Sequence, residues 1–173
     1  LYKYDGYLSL PVFIKELNNK NYKEGKYLGS YLISNIYSNL LKKNKIIDIF
    51  ITENNIIDIE HLNFNKFTLL TFSIRFGITS IGKHKNYILN CFNCKQFGGF
   101  IGGVGVSSYY FFAKDDKENL YYIDPHKILE YNTEHNDIKN INKFLVKNYS
   151  CININKINPS ITFSFYYNNY NED

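Results

Sequence analysis

The sequence of 173 residues contains no methionine, no tryptophan, three cysteines and three prolines. Nineteen of its twenty basic residues are lysine, and Arg75 is the one arginine. Phosphate and base recognition rely on arginine forks, and no tight basic cluster accompanies the net charge of +4, so we expect no nucleic-acid partner. No run of about 18 apolar residues is present, so we expect no transmembrane helix.

The missing methionine and the three cysteines bear on processing and compartment. A complete translation product begins with methionine, whereas this sequence begins with Leu1, so we expect a processed chain or a fragment with further protein upstream. Three cysteines cannot all pair with one another, and their spacing gives no disulfide framework. This cysteine usage predicts a reducing compartment and a cytoplasmic location.

The residues that are present predict one globular α+β domain. The length suits a single core, and 17 Tyr and 14 Phe supply large apolar side chains. Apolar periodicity predicts helices and strands without regular βαβ alternation, which favours α+β. The predicted helices are Ser9–Asn19, Ser30–Lys43, Lys85–Asn93 and, less clearly delimited, Asp137–Lys147. The predicted strands are Ile46–Thr52, Lys66–Ser73, Ser107–Ala113, Asn119–Asp124 and Ile161–Tyr167.

Two local features have both a structural and a functional interpretation. The Gly-rich stretch from Gly98 to Gly105 is predicted to be a loop that leads into a strand. It lacks the Gly-Lys-Ser/Thr ending of a phosphate-binding loop, so it is either a mobile loop beside a site or ordinary hairpin geometry. Arg75 follows a buried strand, where a structural ion pair is the more frequent role than a substrate contact.

Cys91 and Cys94 have the spacing of zinc and redox motifs. A structural zinc site needs a second ligand pair, which the sequence does not supply, and residues three apart on a helix often share a buried face. We therefore predict no metal and no cofactor. The histidines outside the segment discussed next are predicted to lie at the surface: His61, His84 and His135.

The segment from Leu120 to His126 ends an apolar strand with an acid, a proline and a histidine. Side chains two apart on a strand share a face, and Pro125 keeps Asp124 extended, so Asp124 and His126 are predicted to lie on one side. A carboxylate beside a histidine can fix its tautomer, as a general base requires. Acid, proline and histidine are also ordinary turn chemistry at a strand end.

Ordered matches along the chain resemble the autophagy cysteine proteases. Near the hairpin these are Gly102-Gly103, Ser107, Tyr110-Phe111, Leu120–Ile123 and Asp124-Pro125-His126. Elsewhere, Glu24-Gly25-Lys26 with Gly29 is similar to the family's E-G-K-x-x-G, and Leu69–Gly77 to its strand ending in R-L-G. Asn153–Ile161, with Phe163 and Phe165, is similar to its N-I-x-x-L-D-P-S-I and aromatic close. The resemblance extends from about Ser9 to the last residues.

The resemblance implies a papain-like cysteine protease fold, with a mostly antiparallel sheet and flanking helices, incomplete at the N-terminus. Residues 1–173 would be the C-terminal part of a single protease domain. Such proteases cleave a ubiquitin-like autophagy modifier after its C-terminal glycine and release it from lipid. The implied partner is that modifier, as precursor or lipid conjugate, and membrane contact would be peripheral, through the lipidated substrate alone.

The resemblance also assigns roles to residues. His126 would be the general base and Asp124 its orienting acid, while Tyr31 matches an aromatic residue beside the nucleophile. The stretch from Gly103 to Ser107 matches a lid over the nucleophile, and the glycine tail of the substrate would pass beneath it. The family usually has K-P-N where this chain has Val104-Gly105-Val106, so we expect a more flexible and less polar lid.

The family's nucleophilic cysteine lies in a G-W-G-C segment that is absent from this chain. Cys91, Cys94 and Cys151 align with no catalytic position, and we interpret them as structural. The nucleophile is therefore expected upstream, and this chain alone is expected to be inactive. The alternative is a non-catalytic module that binds the modifier without cutting it.

Overall fold

A computed structural model describes residues 8–22, 25–26, 28–43, 48–52, 67–126 and 149–167. The helices are α1 (Leu10–Asn19), α2 (Ser30–Lys43) and α3 (Lys85–Cys91), with 3-10 turns at Gly82–His84 and Ile154–Lys156. The strands are β1 (Asp48–Thr52), β2 (Thr68–Arg75), β3 (Phe97–Val104), β4 (Ser107–Lys114), β5 (Asn119–Ile123), β6 (Ser150–Asn153) and β7 (Ser160–Tyr167). The helix predicted near Asp137–Lys147, and also Glu24, His61 and His135, lie outside the described residues.

The strands form one sheet in the order β1-β2-β7-β3-β4-β5-β6. β1 and β2 run parallel, and every other neighbouring pair is antiparallel. The predicted α+β class with a mostly antiparallel sheet is therefore confirmed. None of the helices in the described ranges has the length and apolar character needed to cross a membrane.

One face of the sheet carries the main core, because alternate residues of neighbouring strands point to the same side. Phe100 pairs with Phe111 on one side and with Phe163 on the other. The rings of Phe100 and Phe111 lie 4.8 Å apart, and both side chains are fully buried. Ile88 of α3 packs into the same cluster, so α3 covers this face. Burial of each such side chain stabilises the fold by roughly 1.5–3 kcal/mol.

α1 and α2 form a smaller cluster around Phe13, Ile36 and Leu40, and α2 packs against β1 and β2. Pro11 occupies the first turn of α1, where its missing N–H costs no helical hydrogen bond. Ser9 has the extended backbone of an N-cap, but its side chain caps nothing, and its hydroxyl is buried without a partner among the described residues.

The prediction of a Gly-rich loop at Gly98–Gly105 was wrong, because most of the stretch is strand β3. Gly102 and Gly103 pair with Tyr109 and Ser108 of β4, and Gly102 also faces Ile161 of β7. Because glycine has no side chain, neighbouring groups can approach this strand closely. The same glycine content, taken from the sequence alone, is typical of a flexible loop. A Cβ on Gly102 would lie 3.0 Å from the Phe100 ring.

The turn between β4 and β5 is closed by Asp115. Its Oδ1 accepts the backbone N–H groups of Lys117 (2.9 Å) and Asn119 (2.8 Å), and its Oδ2 accepts the Asn119 side-chain amide (2.8 Å). Lys85 of α3 binds both carboxylate oxygens of Glu118 at 2.9 Å and so joins α3 to the turn. The sequence from Asp115 to Glu118 is typical of a tight turn, and side chains fix that turn here.

This turn should make stability depend on acidic pH. The Asn119 side-chain amide, followed by the Asn119 and Lys117 backbone amides, holds the pKa of Asp115 below its ordinary value. A lowered folded-state pKa gives stability that is present above the unfolded pKa, about 3.9, and is lost as pH falls through the folded value. Urea unfolding should show Asp115→Ala less stable than wild type at pH 6, with the gap narrowing towards pH 2. A gap that does not change with pH would contradict this.

Candidate active site

Several strand ends meet at one end of the sheet, which we call the near end. Arg75, the last residue of β2, pairs with Ser160, the first residue of β7. The β3–β4 hairpin turns at the same end, just beyond the pair Val104 and Ser107. β5 ends there as well, because its last residue, Ile123, pairs with Tyr110 near the start of β4. Residues far apart in sequence are thereby collected at one edge.

Asp124 and His126 follow β5 at the near end and contact each other. Asp124 Oδ1 lies 2.8 Å from His126 Nδ1 and accepts the His126 backbone N–H at 3.0 Å. The expectation that the strand alternation continues through Asp124 was wrong, because β5 ends at Ile123 and Pro125 and His126 form a turn. The two side chains meet through this turn, in which a carboxylate accepts the amide two residues on.

The geometry of the pair suits proton transfer. When His126 Nδ1 carries its proton, it donates to Asp124, and Nε2 is left as a proton acceptor. The Asp124 side chain is 25% exposed and that of His126 is 57% exposed, so the imidazole faces solvent while its carboxylate partner is more enclosed. The Tyr109 ring lies 6.0 Å from the imidazole at 74° and backs it from the sheet.

The β3–β4 hairpin tip, residues Gly103 to Val106, turns at Gly105-Val106. Gly105 has a φ of +61°, and positive φ at the first turn residue alone is the pattern of a type II′ hairpin, which needs glycine there. Val106 is fully exposed at 106% of its reference area. Asn158 contacts the tip through its side-chain amide, which donates to the Gly105 carbonyl at 2.9 Å.

A groove of about 610 Å³ lies beside the hairpin tip. Its lining comes from four strands and the connection before β7, and includes Arg75, Ile101, Gly103, Ser108, Asn158 and Ser160. Asp124 and His126 lie at the same end of the sheet but outside this lining. The near end thus carries both an acid–histidine pair and an open groove.

Residues 6–172 match the family model of the peptidase C54 catalytic domain. The chain belongs to the peptidase C54 family. It is also 29% identical, over 175 residues, to the protein described as "Cysteine protease ATG4" of Candida albicans. That match covers 92% of this chain and 38% of the relative, so the chain spans well under half of the relative's length. Membership confirms the resemblance and the expected papain-like α+β fold.

Arg75 of this C54 chain does not form the expected structural ion pair, so that interpretation was wrong. Its guanidinium donates to Ser160 Oγ at 3.1 Å and to the Ile78 carbonyl at 2.9 Å, and no carboxylate partner occurs among the described residues. The cation therefore lines the groove. Sequence reasoning missed Arg75 and Asn158 as site residues, although a single arginine at the end of a central strand was a usable signal.

Tyr31 is not brought to Asp124 and His126 by the described elements of the C54 domain. It lies in the first turn of α2, and its hydroxyl accepts the Asn35 side-chain amide at 3.5 Å. α2 packs against β1 and β2, while Asp124 follows β5, and three strands lie between β2 and β5. A substrate contact by Tyr31 stays a prediction, as does the lid role of Gly103, Val104, Gly105 and Val106.

The three cysteines of the C54 chain are free thiols. α3 ends at Cys91, and Cys94 lies beyond it and is exposed, so the two do not share a buried helix face. Burial, and then the neighbouring Cys94, raise the pKa of the Cys91 thiol, which disfavours a reactive thiolate. Cys151 lies in β6, opposite Tyr121. No group of three or more metal-binding side chains occurs in the ranges that the structure describes.

His84 departs from the surface location predicted for it. Its ring lies 5.3 Å from Phe76 and 6.1 Å from Tyr87, and the residue is half-buried. Phe76 in turn contacts Phe163 of the core edge-on at 6.0 Å. His84 therefore packs between Phe76 and Tyr87 at the start of α3.

Proposed function

We propose that this chain supplies the base and acid of a thiol protease that cleaves a ubiquitin-like autophagy modifier after its C-terminal glycine. The observation that carries the proposal is the 2.8 Å contact between Asp124 and His126 at the near end, the end of the sheet where the groove also lies. Membership of the C54 family supports the reaction class. The nucleophilic cysteine is proposed to lie outside residues 1–173, and the setting to be cytoplasmic, with membranes met through the lipidated substrate.

The cysteines in the described ranges support an external nucleophile. Cys91 and Cys94 precede β3, whose first residue lies at the opposite end of the sheet from His126. Cys151 lies on the edge strand β6 and pairs with Tyr121, away from the end of β5. None of the three contacts His126, so none is placed to give it a proton.

The proposed chemistry follows from the Asp124–His126 contact. Asp124 accepts a hydrogen bond from the Nδ1–H group and orients the imidazole, so that Nε2 can take the proton of the cysteine thiol. The thiolate attacks the carbonyl carbon of the terminal glycine, and the imidazolium returns its proton to the leaving amine. Water, deprotonated by Nε2, then hydrolyses the thioester and frees the cysteine.

The groove supports an extended substrate tail. Its floor is sheet, and one wall is the hairpin tip, where Gly103 presents backbone only. The Arg75 guanidinium also lines the groove and can donate to peptide carbonyl oxygens. An extended tail that continues from the groove towards His126 is proposed to carry small side chains, which favours glycine at the cleaved bond.

Cleavage by the full-length protein tests the proposal. Two modifier precursors should be compared, one with glycine at the cleaved position and one with valine there. We expect kcat/KM to be at least about 100-fold lower for the valine precursor, because the proposed cleavage site is selective for glycine. Equal rates would contradict glycine selectivity. Tight binding of the glycine precursor without any cleavage would favour the non-catalytic module instead.

A further inference from the structure

Asn158 fastens the hairpin tip to the connection between β6 and β7. Its side-chain Nδ2 donates to the Gly105 carbonyl at 2.9 Å, and its backbone N–H donates to the Gly103 carbonyl at 2.8 Å. The turn residues Gly105 and Val106 are otherwise open to solvent, and a Cβ on Gly105 would touch nothing within 4 Å. One asparagine therefore accounts for both hydrogen bonds from this connection to the tip.

The Asn158 side chain fits against Gly103 because glycine has no Cβ. A Cβ at position 103 would lie 2.6 Å from Asn158 Nδ2, well inside the roughly 3.5 Å at which non-bonded heavy atoms pack. Any larger residue at 103 would push the amide away from the Gly105 carbonyl. The two positions are thus coupled through space, although they lie 55 positions apart in the sequence.

The residues before and after Asn158 in the sequence are held by the core and by the sheet. The Pro159 carbonyl accepts the Phe76 backbone N–H at 2.9 Å, and Ser160 pairs with Arg75. The preceding residue, Ile157, is 2% exposed and packs in the main core. Asn158 therefore joins the tip to a connection that is itself fixed by β2, β7 and the main core.

We infer that Asn158 is a positioning residue, which fixes the hairpin tip as one wall of the substrate groove. Gly103 and Asn158 both line that groove, so the hydrogen bonds from Asn158 to the tip hold this part of the lining in place. This inference rests on the proposed function, since the groove is taken to hold the modifier's tail. With the tip released, tail binding must also order the tip, so KM rises while the chemical step at His126 is unaffected.

The hydrogen bond to the Gly105 carbonyl requires the N–H donor of the Asn158 side-chain amide. A carboxylate of the same shape accepts hydrogen bonds only, and it would face the Gly105 carbonyl oxygen without a proton to share. In full-length Asn158→Asp we expect hydrogen–deuterium exchange of peptides spanning residues 103–108 to be about 2- to 10-fold faster, the range for losing one hydrogen bond. KM for the glycine-ended precursor should rise by a similar about 2- to 10-fold, with kcat within about twofold of wild type.

A matched control is available three residues away. Asn155 donates its side-chain amide to Asn153 Oδ1 at 2.9 Å within its own turn, and does not contact the tip. Asn155→Asp should leave both the exchange at residues 103–108 and KM at wild-type values. A KM change of the same size in this control would overturn the inference, because the effect would then be one of charge alone.

A double-mutant cycle separates coupling from general damage. Gly103→Ala should raise exchange and KM as Asn158→Asp does, and the double variant should be no worse than either single one, because both remove the same contact. Effects that multiply would overturn the coupling. Thermal unfolding of each variant shows whether it is folded, and if Asn158→Asp does not fold, Gly103→Ala alone decides.

Hydrogen–deuterium exchange tests whether Asn158 holds the tip, and KM tests whether this contact matters for the groove. Unchanged exchange in Asn158→Asp would show that the Asn158 side chain does not hold the tip, whether or not the protein cleaves the precursor. Faster exchange with an unchanged KM overturns the role of this contact in the groove. A wild-type protein that does not cleave the glycine-ended precursor overturns the proposed function and with it that groove role, while the exchange still decides whether Asn158 holds the tip.

Discussion

Replacing His126 with alanine is expected to lower kcat of the full-length protein at least about 10³-fold, with KM close to wild type. The alanine cannot take a proton from the cysteine or return it to the leaving amine. His126 does not line the groove, so tail binding should persist. Steady-state cleavage of the glycine-ended precursor, with quantification of both products, measures the two constants.

Two further variants make this result specific. Asp124→Asn should lower kcat by about 10²- to 10⁴-fold, because the amide favours the wrong imidazole tautomer while keeping the shape. His84→Gln is the matched control, since His84 packs on Phe76 near α3 and should leave kcat unchanged. Undiminished turnover in His126→Ala would remove the acid–base assignment and leave the non-catalytic binding module as the better explanation.

Replacing Phe100 with alanine is expected to lower the free energy of unfolding by about 3–5 kcal/mol. The ring is fully buried and contacts Phe111 at 4.8 Å, Phe163 at 5.8 Å and Phe92 at 6.0 Å. Its removal opens a cavity at the centre of the sheet, where backbone pairing on both sides prevents collapse. Urea unfolding with an unchanged m-value would report the loss as stability alone.

Phe67→Ala is the control for the change of side chain. Phe67 precedes β2, is 38% exposed, and stacks on Tyr166 at 6.3 Å. Its truncation should cost less than about 1 kcal/mol, because the site is open and leaves no enclosed cavity. Similar losses for the two variants would mean that the core is not centred on Phe100 and its neighbours.

Much of the fold could be predicted from periodicity. The apolar spacing of α2 and the aromatic alternation of β7 gave bounds within one residue of those observed. The Gly-rich stretch failed because glycine carries no apolar signal, so a paired central strand looked like a loop. Ser9 marked the start of α1 correctly without making the capping bond that its side chain suggests.

The candidate site was predictable only in its local part. Asp124 and His126 are two residues apart, and both an extended strand and a turn bring such side chains near each other, so a wrong backbone still gave the right neighbours. The groove was not predictable in this way. Arg75 meets Ser160 across a strand pairing of residues 85 positions apart, and such long-range pairings leave no local signal in a single sequence.

The position of β7 has a consequence for how the chain folds during synthesis. β7 pairs with β2 on one side and β3 on the other, so the strand made latest of the seven lies in the middle of the sheet. Until residues 160–167 leave the ribosome, β2 and β3 keep unpaired edges, and the hairpin of β3 and β4 has no partner to dock on. Completion of this sheet therefore waits for β7, depends on long-range pairing, and leaves strand edges open to aggregation until β7 is in place.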